Sequence, residues 1–179
     1  MFLELIRKRR SIRRFREQGV EPEKIDLLIE AALRAPSSRG LNPWEFIVVT
    51  DRDLLKKLSR AKAHGSSFLV NAPLGIVICA DPRRCDVWIE DCSIASIFIH
   101  LTAGSIGLGS CWVQIRDRVC NEPMTSEDYV KEVLSIPRAM RVESVIAVGY
   151  PDEKKPPHPR EDLDYKKVFH NSYGKSYGG

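Results

Sequence analysis

Arg7-Lys8-Arg9-Arg10-Ser11-Ile12-Arg13-Arg14-Phe15-Arg16 is the stretch on which the reading of this chain turns. Seven of its ten residues are cationic. The whole chain holds 28 Lys+Arg against 24 Asp+Glu, so the 21 cations outside this stretch are outnumbered by the acids. The basic character is therefore local, and local charge calls for a local anion. Arginine presents a planar fork that grips phosphate bidentately, which lysine cannot do. Ile12 and Phe15 lie three apart, a spacing that suits one buried face better than a disordered arm. The stretch reads as a folded phosphate site. A nucleic-acid patch and a plain solvated helix face are the two competing readings. Nucleic acid lacks the aromatic-interleaved motifs that RNA recognition uses. The decision rests on what else the chain supplies.

With 179 residues, 43% hydrophobic and 29% charged, the chain has the composition of one ordinary globular domain, spanning 1–179. Met1 to Ile6 holds no apolar run long enough for a signal peptide. The cysteines, Cys79, Cys85, Cys92, Cys111 and Cys120, are odd in number and contain no Cys-x-x-Cys pair, which speaks against a disulfide framework and against a metal site. A reduced, cytoplasmic setting follows as an expectation.

Working outward, Phe2, Leu3 and Ile6 recur at helical spacing, so a short amphipathic helix should deliver the basic stretch. Gly19 breaks that pattern. Pro22 suits a first helical turn, and Ile25, Leu28, Ile29, Ala32 and Leu33 form a stripe of period near 3.6 that Pro36 ends. Ala35 to Trp44 is a loop dense in turn formers and hydroxyls, longer than a connection requires. Glu45–Thr50 and Leu74–Ala80 read as buried strands, with Asp51 as the N-cap of a helix carrying Leu54, Leu55 and Leu58. His64 reads as a solvated loop residue.

Asp86 to Ile106 is apolar nearly all round, and Cys92–Leu108 lacks Asp, Glu, Lys and Arg. A membrane span is the alternative, but Glu90, Asp91 and the missing aromatic belts favour a central core helix that also buries a face in an oligomer. His100 on it reads as a satisfied core histidine. Gly107 to Ile115 turns into a strand, Ser126 is expected to cap a short helix, and Val145–Pro151 is the last strong strand. Asp152 to Arg160 reads as an extended strap returning positive charge to the body. Asn171 to Gly179 is expected to fray.

Four motifs in this order, Arg9-Arg10-Ser11-Ile12-Arg13-Arg14-Phe15, Pro36-Ser37-Ser38-Arg39-Gly40-Leu41-Asn42-Pro43-Trp44, Gly107-Leu108-Gly109-Ser110-Cys111-Trp112, and Gly149-Tyr150-Pro151 with the strap to Arg160, resemble the FMN-dependent nitroreductase-like flavoproteins over nearly the whole chain. The resemblance implies an α+β fold, a central mostly antiparallel sheet flanked by helices, in an intertwined homodimer with FMN at the interface. It implies that Arg9, Arg10, Ser11 and Arg13 contact the FMN phosphate and ribityl chain, with Arg160 and His158 returning to the same phosphate. It places Pro36, Ser37, Ser38 and Asn42 against the flavin of the other subunit, and Val113, Gln114 and Ile115 beside the isoalloxazine ring.

The implied activity is ping-pong hydride transfer from NADH or NADPH to a nitroaromatic, quinone or similar flat acceptor. A flavin reductase and a non-catalytic FMN carrier are the alternatives. No membrane or nucleic-acid partner is implied. No Ser-His-Asp or Cys-His arrangement is legible, and none is required, because the hydride chemistry belongs to the cofactor. The compact region between Thr50 and Leu74 leaves the substrate open. Cys111 reads as packing rather than redox.

Overall fold

The computed structural model describes residues 2–177. In chain order it contains α1 (Phe2–Lys8), α2 (Pro22–Leu33), β1 (Trp44–Val49), α3 (Arg52–Leu58), β2 (Leu74–Ala80), α4 (Trp88–Ser105), β3 (Gly109–Gln114), β4 (Val119–Asn121), β5 (Met124–Thr125), α5 (Ser126–Leu134) and β6 (Arg141–Gly149). The main sheet runs β1-β2-β6-β3, and every pairing in it is antiparallel. β4 and β5 form a separate small hairpin.

Both faces of this sheet are covered, so its central strands carry no polar face to solvent. β2 is buried at every position, which accounts for its unbroken apolar sequence. Val77, Val113, Val145 and Ala147 share a core with Leu55 and Leu58 of α3, with Leu69 of the turn before β2, and with Val130 of α5. Ile76, Ile78, Ile146 and Val148 face Leu28 and Ala32 of α2 and Cys92, Ala95 and Ile99 of α4. The alternation along each strand assigns successive side chains to the two cores.

Local chemistry fixes the ends. Pro22 opens α2 where its missing N–H costs nothing. Asp51 caps α3 by accepting from Leu54 N at 2.8 Å. α5 corrects the sequence reading: Thr125, not Ser126, is the cap, its Oγ1 accepting from Asp128 N at 3.0 Å. β6 also starts at Arg141, four residues before the apolar run, because Glu143 and Ser144 are buried strand residues despite their polarity.

α4 is apolar on more than one side for two separate reasons. Cys92, Ala95, Ile99 and Ala103 are buried against the sheet and α2, whereas Ile94 and Ile97 are exposed. No helix among the described residues is long and apolar enough to cross a membrane. α1 lies against α4 near Gly104, where an added Cβ would stand 3.0 Å from Leu5 Cδ1, while Phe2, Leu3 and Ile6 face outward. At the far end of the chain, residues 171–177, expected to fray, are exposed and belong to a turn closed by an antiparallel bridge between Phe169 and Ser176. Gly178 and Gly179 lie outside the described residues.

Candidate cofactor site

α1 closes with Arg9 N donating to Leu5 O, and the chain then runs extended across one end of the sheet. Ile12 N donates to Ser110 O at 2.9 Å, and Arg16 N donates to Tyr150 O at 2.9 Å. Single bridges pair Ser11 with Ser110 and Phe15 with Pro151. Ile12 and Phe15 are buried, as their spacing predicts. The intervening cations are thereby held on a fixed backbone rather than on a mobile arm.

The strap after β6 locks this segment from the other side. Glu153 Oε1 accepts from Arg13 N at 2.6 Å and Arg14 N at 3.2 Å. Those main-chain donors, the Arg13 N–H first, hold the Glu153 carboxyl below its ordinary range. Lys155 Nζ pairs with Glu153 at 3.1 Å and donates to Ser11 O at 2.8 Å. The Arg10 guanidinium donates to Pro156 O. The one carboxylate here is spent on backbone amides and Lys155.

Between α1, α4 and the strap lies an open cleft of about 500 Å³. Its wall includes Lys8, Arg9, Arg10, Lys154 and Lys155, with Glu153 as its sole acidic member. His100 of α4 also lines it, with Nδ1 2.7 Å from Ser110 Oγ. Burial first, and then the adjacent Arg9 cation, push the His100 pKa down to about 4, so the ring is neutral near pH 7.

The structure groups the expected site residues unevenly. Arg9 and Arg10 line the cleft, and the Ser11 carbonyl anchors its Lys155. Arg13 does not line the cleft; its guanidinium stands 5.8 Å from the Phe68 ring centroid. Val113 and Ile115 are buried in the core beneath. Gln114 Oε1 accepts from Trp112 Nε1 at 2.9 Å, and its Nε2 donates to Arg116 O at 3.1 Å. His158 and Arg160 are exposed on the strap, with no side-chain hydrogen bond or ion pair among the described residues.

The 36–42 loop stands apart from the cleft. Asn42 N donates to Ser37 Oγ at 3.0 Å, and Ser38 N donates to the buried Asp91 Oδ1 at 2.9 Å near the start of α4. Nine residues separate Asp91 from the cleft residue His100, a rise of about 13–14 Å along the helix. Within one chain Pro36, Ser37, Ser38 and Asn42 do not join Arg9 and Arg10.

Sequence reasoning missed His100, Ser110 and Glu153 as cleft residues. Glu153 and Lys155 carried a faint signal, an acid two before a lysine in the returning strap. His100 carried none, since a histidine in an apolar helix looks the same whether or not a cleft reaches it.

The nitroreductase family model matches residues 6–67 and 60–150. This chain belongs to the nitroreductase family. It is 48% identical, with a TM-score of 0.94, to an FMN-dependent nitroreductase from Clostridium difficile R20291, over 96% of this chain and 99% of that one. An Archaeoglobus fulgidus protein provisionally named NADH dehydrogenase/NAD(P)H nitroreductase is 40% identical over 89% of this chain and 91% of its own. An FMN reductase [NAD(P)H] of Bacillus subtilis is 26% identical, covering 90% of this chain and 72% of its own length.

In this nitroreductase family member, one glycine from each of the last two motifs serves close packing. Gly109 and Gly149 are paired across β3 and β6, where Ile12 and Phe15 descend onto the sheet. Cys111 follows Ser110 in the earlier of these motifs. Burial pushes its thiol pKa up against the opposing pull of Arg13 and Lys155, which leaves it a protonated packing group.

Proposed function

We propose that residues 1–179 form a single FMN-binding domain, an oxidoreductase that draws electrons from NADH or NADPH and reduces nitroaromatics, quinones or similar flat acceptors. The observation that carries this reading is the cation-walled cleft between α1, α4 and the strap. A phosphomonoester near charge −2 needs several fixed donors, and Arg9, Arg10 and Lys155 are fixed there on a backbone pinned to the sheet. The only carboxylate in the wall is already neutralised. The residues present therefore fit the cofactor's phosphate end, and the relatives that carry FMN in their names support the same group.

Arg9 and Arg10 would hold the phosphate, while Ser11 and Arg13 follow along the ribityl chain. The β3 backbone at Val113–Ile115 would support the ring from the sheet side. When bound, FMN supplies the hydride chemistry in two alternating half-reactions, donor first and acceptor second. The protein's part is binding, orientation and exclusion of water.

A second copy of the chain completes this site in the same reading. The 36–42 loop cannot reach the cleft of its own chain, and α4 leaves Ile94 and Ile97 exposed beside it. An intertwined homodimer would bring the partner's loop to the flavin and cover that apolar face. The five free cysteines accord with a cytoplasmic setting.

Visible absorption of the purified protein, before and after addition of NADH or NADPH, tests the proposal. A flavin band that bleaches on addition is the expected result. Bound flavin that stays oxidised with both nucleotides would make the chain a carrier or the client of a protein donor. A colourless protein that does not take up added FMN would return the basic stretch to nucleic acid.

A further inference from the structure

His100 stands in the cleft as an unexplained polar group. It is 96% buried in an otherwise largely apolar helix, yet it lines a cleft walled by cations. Its only side-chain hydrogen bond among the described residues is Nδ1 with Ser110 Oγ at 2.7 Å. Nε2 has no partner, and it is not among the fully enclosed polar atoms that lack one. The ring lines the cleft. The Ser110 hydroxyl engages Nδ1, and either group of this pair can be the donor.

We propose that His100 is an anion-binding residue of this site, turning its unpartnered Nε2 to the phosphate of the bound flavin nucleotide and holding a proton there as an imidazolium once that phosphate is in place. The inference rests on the FMN reading above. Its physical basis is the charge around the ring. Lys8, Arg9 and Arg10 line the cleft from the segment ending α1, Lys154, Lys155 and Glu153 line it from the strap, and β3 contributes Gly109 and Ser110, neither of them charged. α4 itself adds no further charged group to this wall.

Burial first, and then the Arg9 cation, disfavour an imidazolium, so the ring is neutral near pH 7. A phosphate dianion lowers the net positive charge of the wall and sets an anion against the ring, and a histidine facing an anion favours the charged form. A neutral ring adds no sixth positive charge to the wall. The cost of desolvating a permanent cation there is avoided.

Two measurements test this. FMN and riboflavin are titrated into the wild type, His100→Leu and His100→Gln near pH 6 and pH 8. Removing a donor to a charged acceptor should weaken FMN binding about tenfold in His100→Leu, with riboflavin, which lacks the phosphate, unaffected. His100→Gln keeps a donor and should recover part of the affinity, but lose the proton uptake that the wild type shows on binding FMN. Equal FMN affinity in a folded His100→Leu protein would overturn the inference and leave the FMN reading intact. Failure of the wild type to bind FMN would overturn both.

Should the leucine variant not fold, the wild-type imidazole resonance, assigned by its absence in His100→Gln, decides the matter. Its titration midpoint should rise on saturation with FMN. A midpoint unmoved by FMN would overturn the proposal.

Discussion

Gly109 of β3 lies directly opposite Gly149 of β6, and a methyl group on either would occupy space that the cationic segment and its neighbours already fill. An added Cβ at Gly109 would stand 2.8 Å from Ile12 Cβ. At Gly149 it would stand 2.6 Å from Pro73 Cδ and 3.0 Å from Phe15 Cδ1. The two glycines thus serve one purpose, letting Ile12 and Phe15 settle on the sheet so that the arginines between them are held.

Gly149→Ala tests that relationship. The Pro73 ring cannot rotate out of the way as a flexible side chain would, so the strand or the basic segment must shift. Overpacking of this kind costs about 1–3 kcal/mol. Denaturant unfolding should report that loss, and FMN titration should show weaker binding as Phe15 and its neighbours move. A variant with wild-type stability and affinity would mean that the close approach has no part in positioning the site.

Asp91 supports a second prediction, on the loop rather than the cleft. Its buried carboxylate accepts from Ser38 N at 2.9 Å and from the Cys85 thiol at 3.3 Å. Asp91→Ala strands both donors, at a cost of about 1–3 kcal/mol if they find no water. Hydrogen exchange at Ser38 should accelerate in the variant more than exchange in β2. An unchanged Ser38 exchange rate would show that the loop holds its shape without this anchor.

Glu143 gives a prediction in pH. It is 2% exposed on β6, and its Oε2 has no hydrogen-bond partner. Burial raises its pKa from the ordinary 4.5 to about 7. Between these values the folded protein holds a proton that the unfolded chain has released, so stability falls as pH rises from 4.5 to 7 and levels off above. Glu143→Gln, neutral throughout, should remove this slope and exceed the wild type at pH 8 by on the order of 3 kcal/mol. Unfolding curves at pH 5 and pH 8 check it. A wild type whose stability falls no faster than that of the variant across this interval would assign Glu143 an ordinary pKa.

These residues also mark how far the sequence could be read. The strands β2 and most of β6, the helices α2, α3 and α4, and the buried pair Ile12 and Phe15 were legible because apolar spacing records burial directly. Arg141 to Ser144 was not, since a strand that buries a glutamate and a serine has no apolar signature. The Thr125 cap was displaced by one residue because Thr125 and Ser126 are chemically equivalent candidates. At the site, Arg9 and Arg10 were legible from charge density. His100 was not, because its role depends on a cleft formed by α1 and the strap, more than fifty residues away on either side.

The last prediction separates two isoleucines of α4 that the sequence treats alike. Ile99 is fully buried between the sheet and α2, whereas Ile97 is 48% exposed on the face left uncovered within one chain. Ile99→Asp would bury an unpaired carboxylate and open a cavity, losses that together amount to several kcal/mol and threaten folding. Ile97→Asp should leave the secondary structure and melting of the single chain near native. If a second copy covers this face, as the proposed dimer requires, Ile97→Asp should lower the mass seen by light scattering to that of one chain. FMN affinity should fall with it, because the 36–42 loop then has no partner site to reach. An Ile97→Asp protein that keeps both the dimer mass and its FMN would place the interface elsewhere on the molecule. A wild type that is already a single chain at every concentration while still retaining FMN would show that the cleft suffices without a partner's loop.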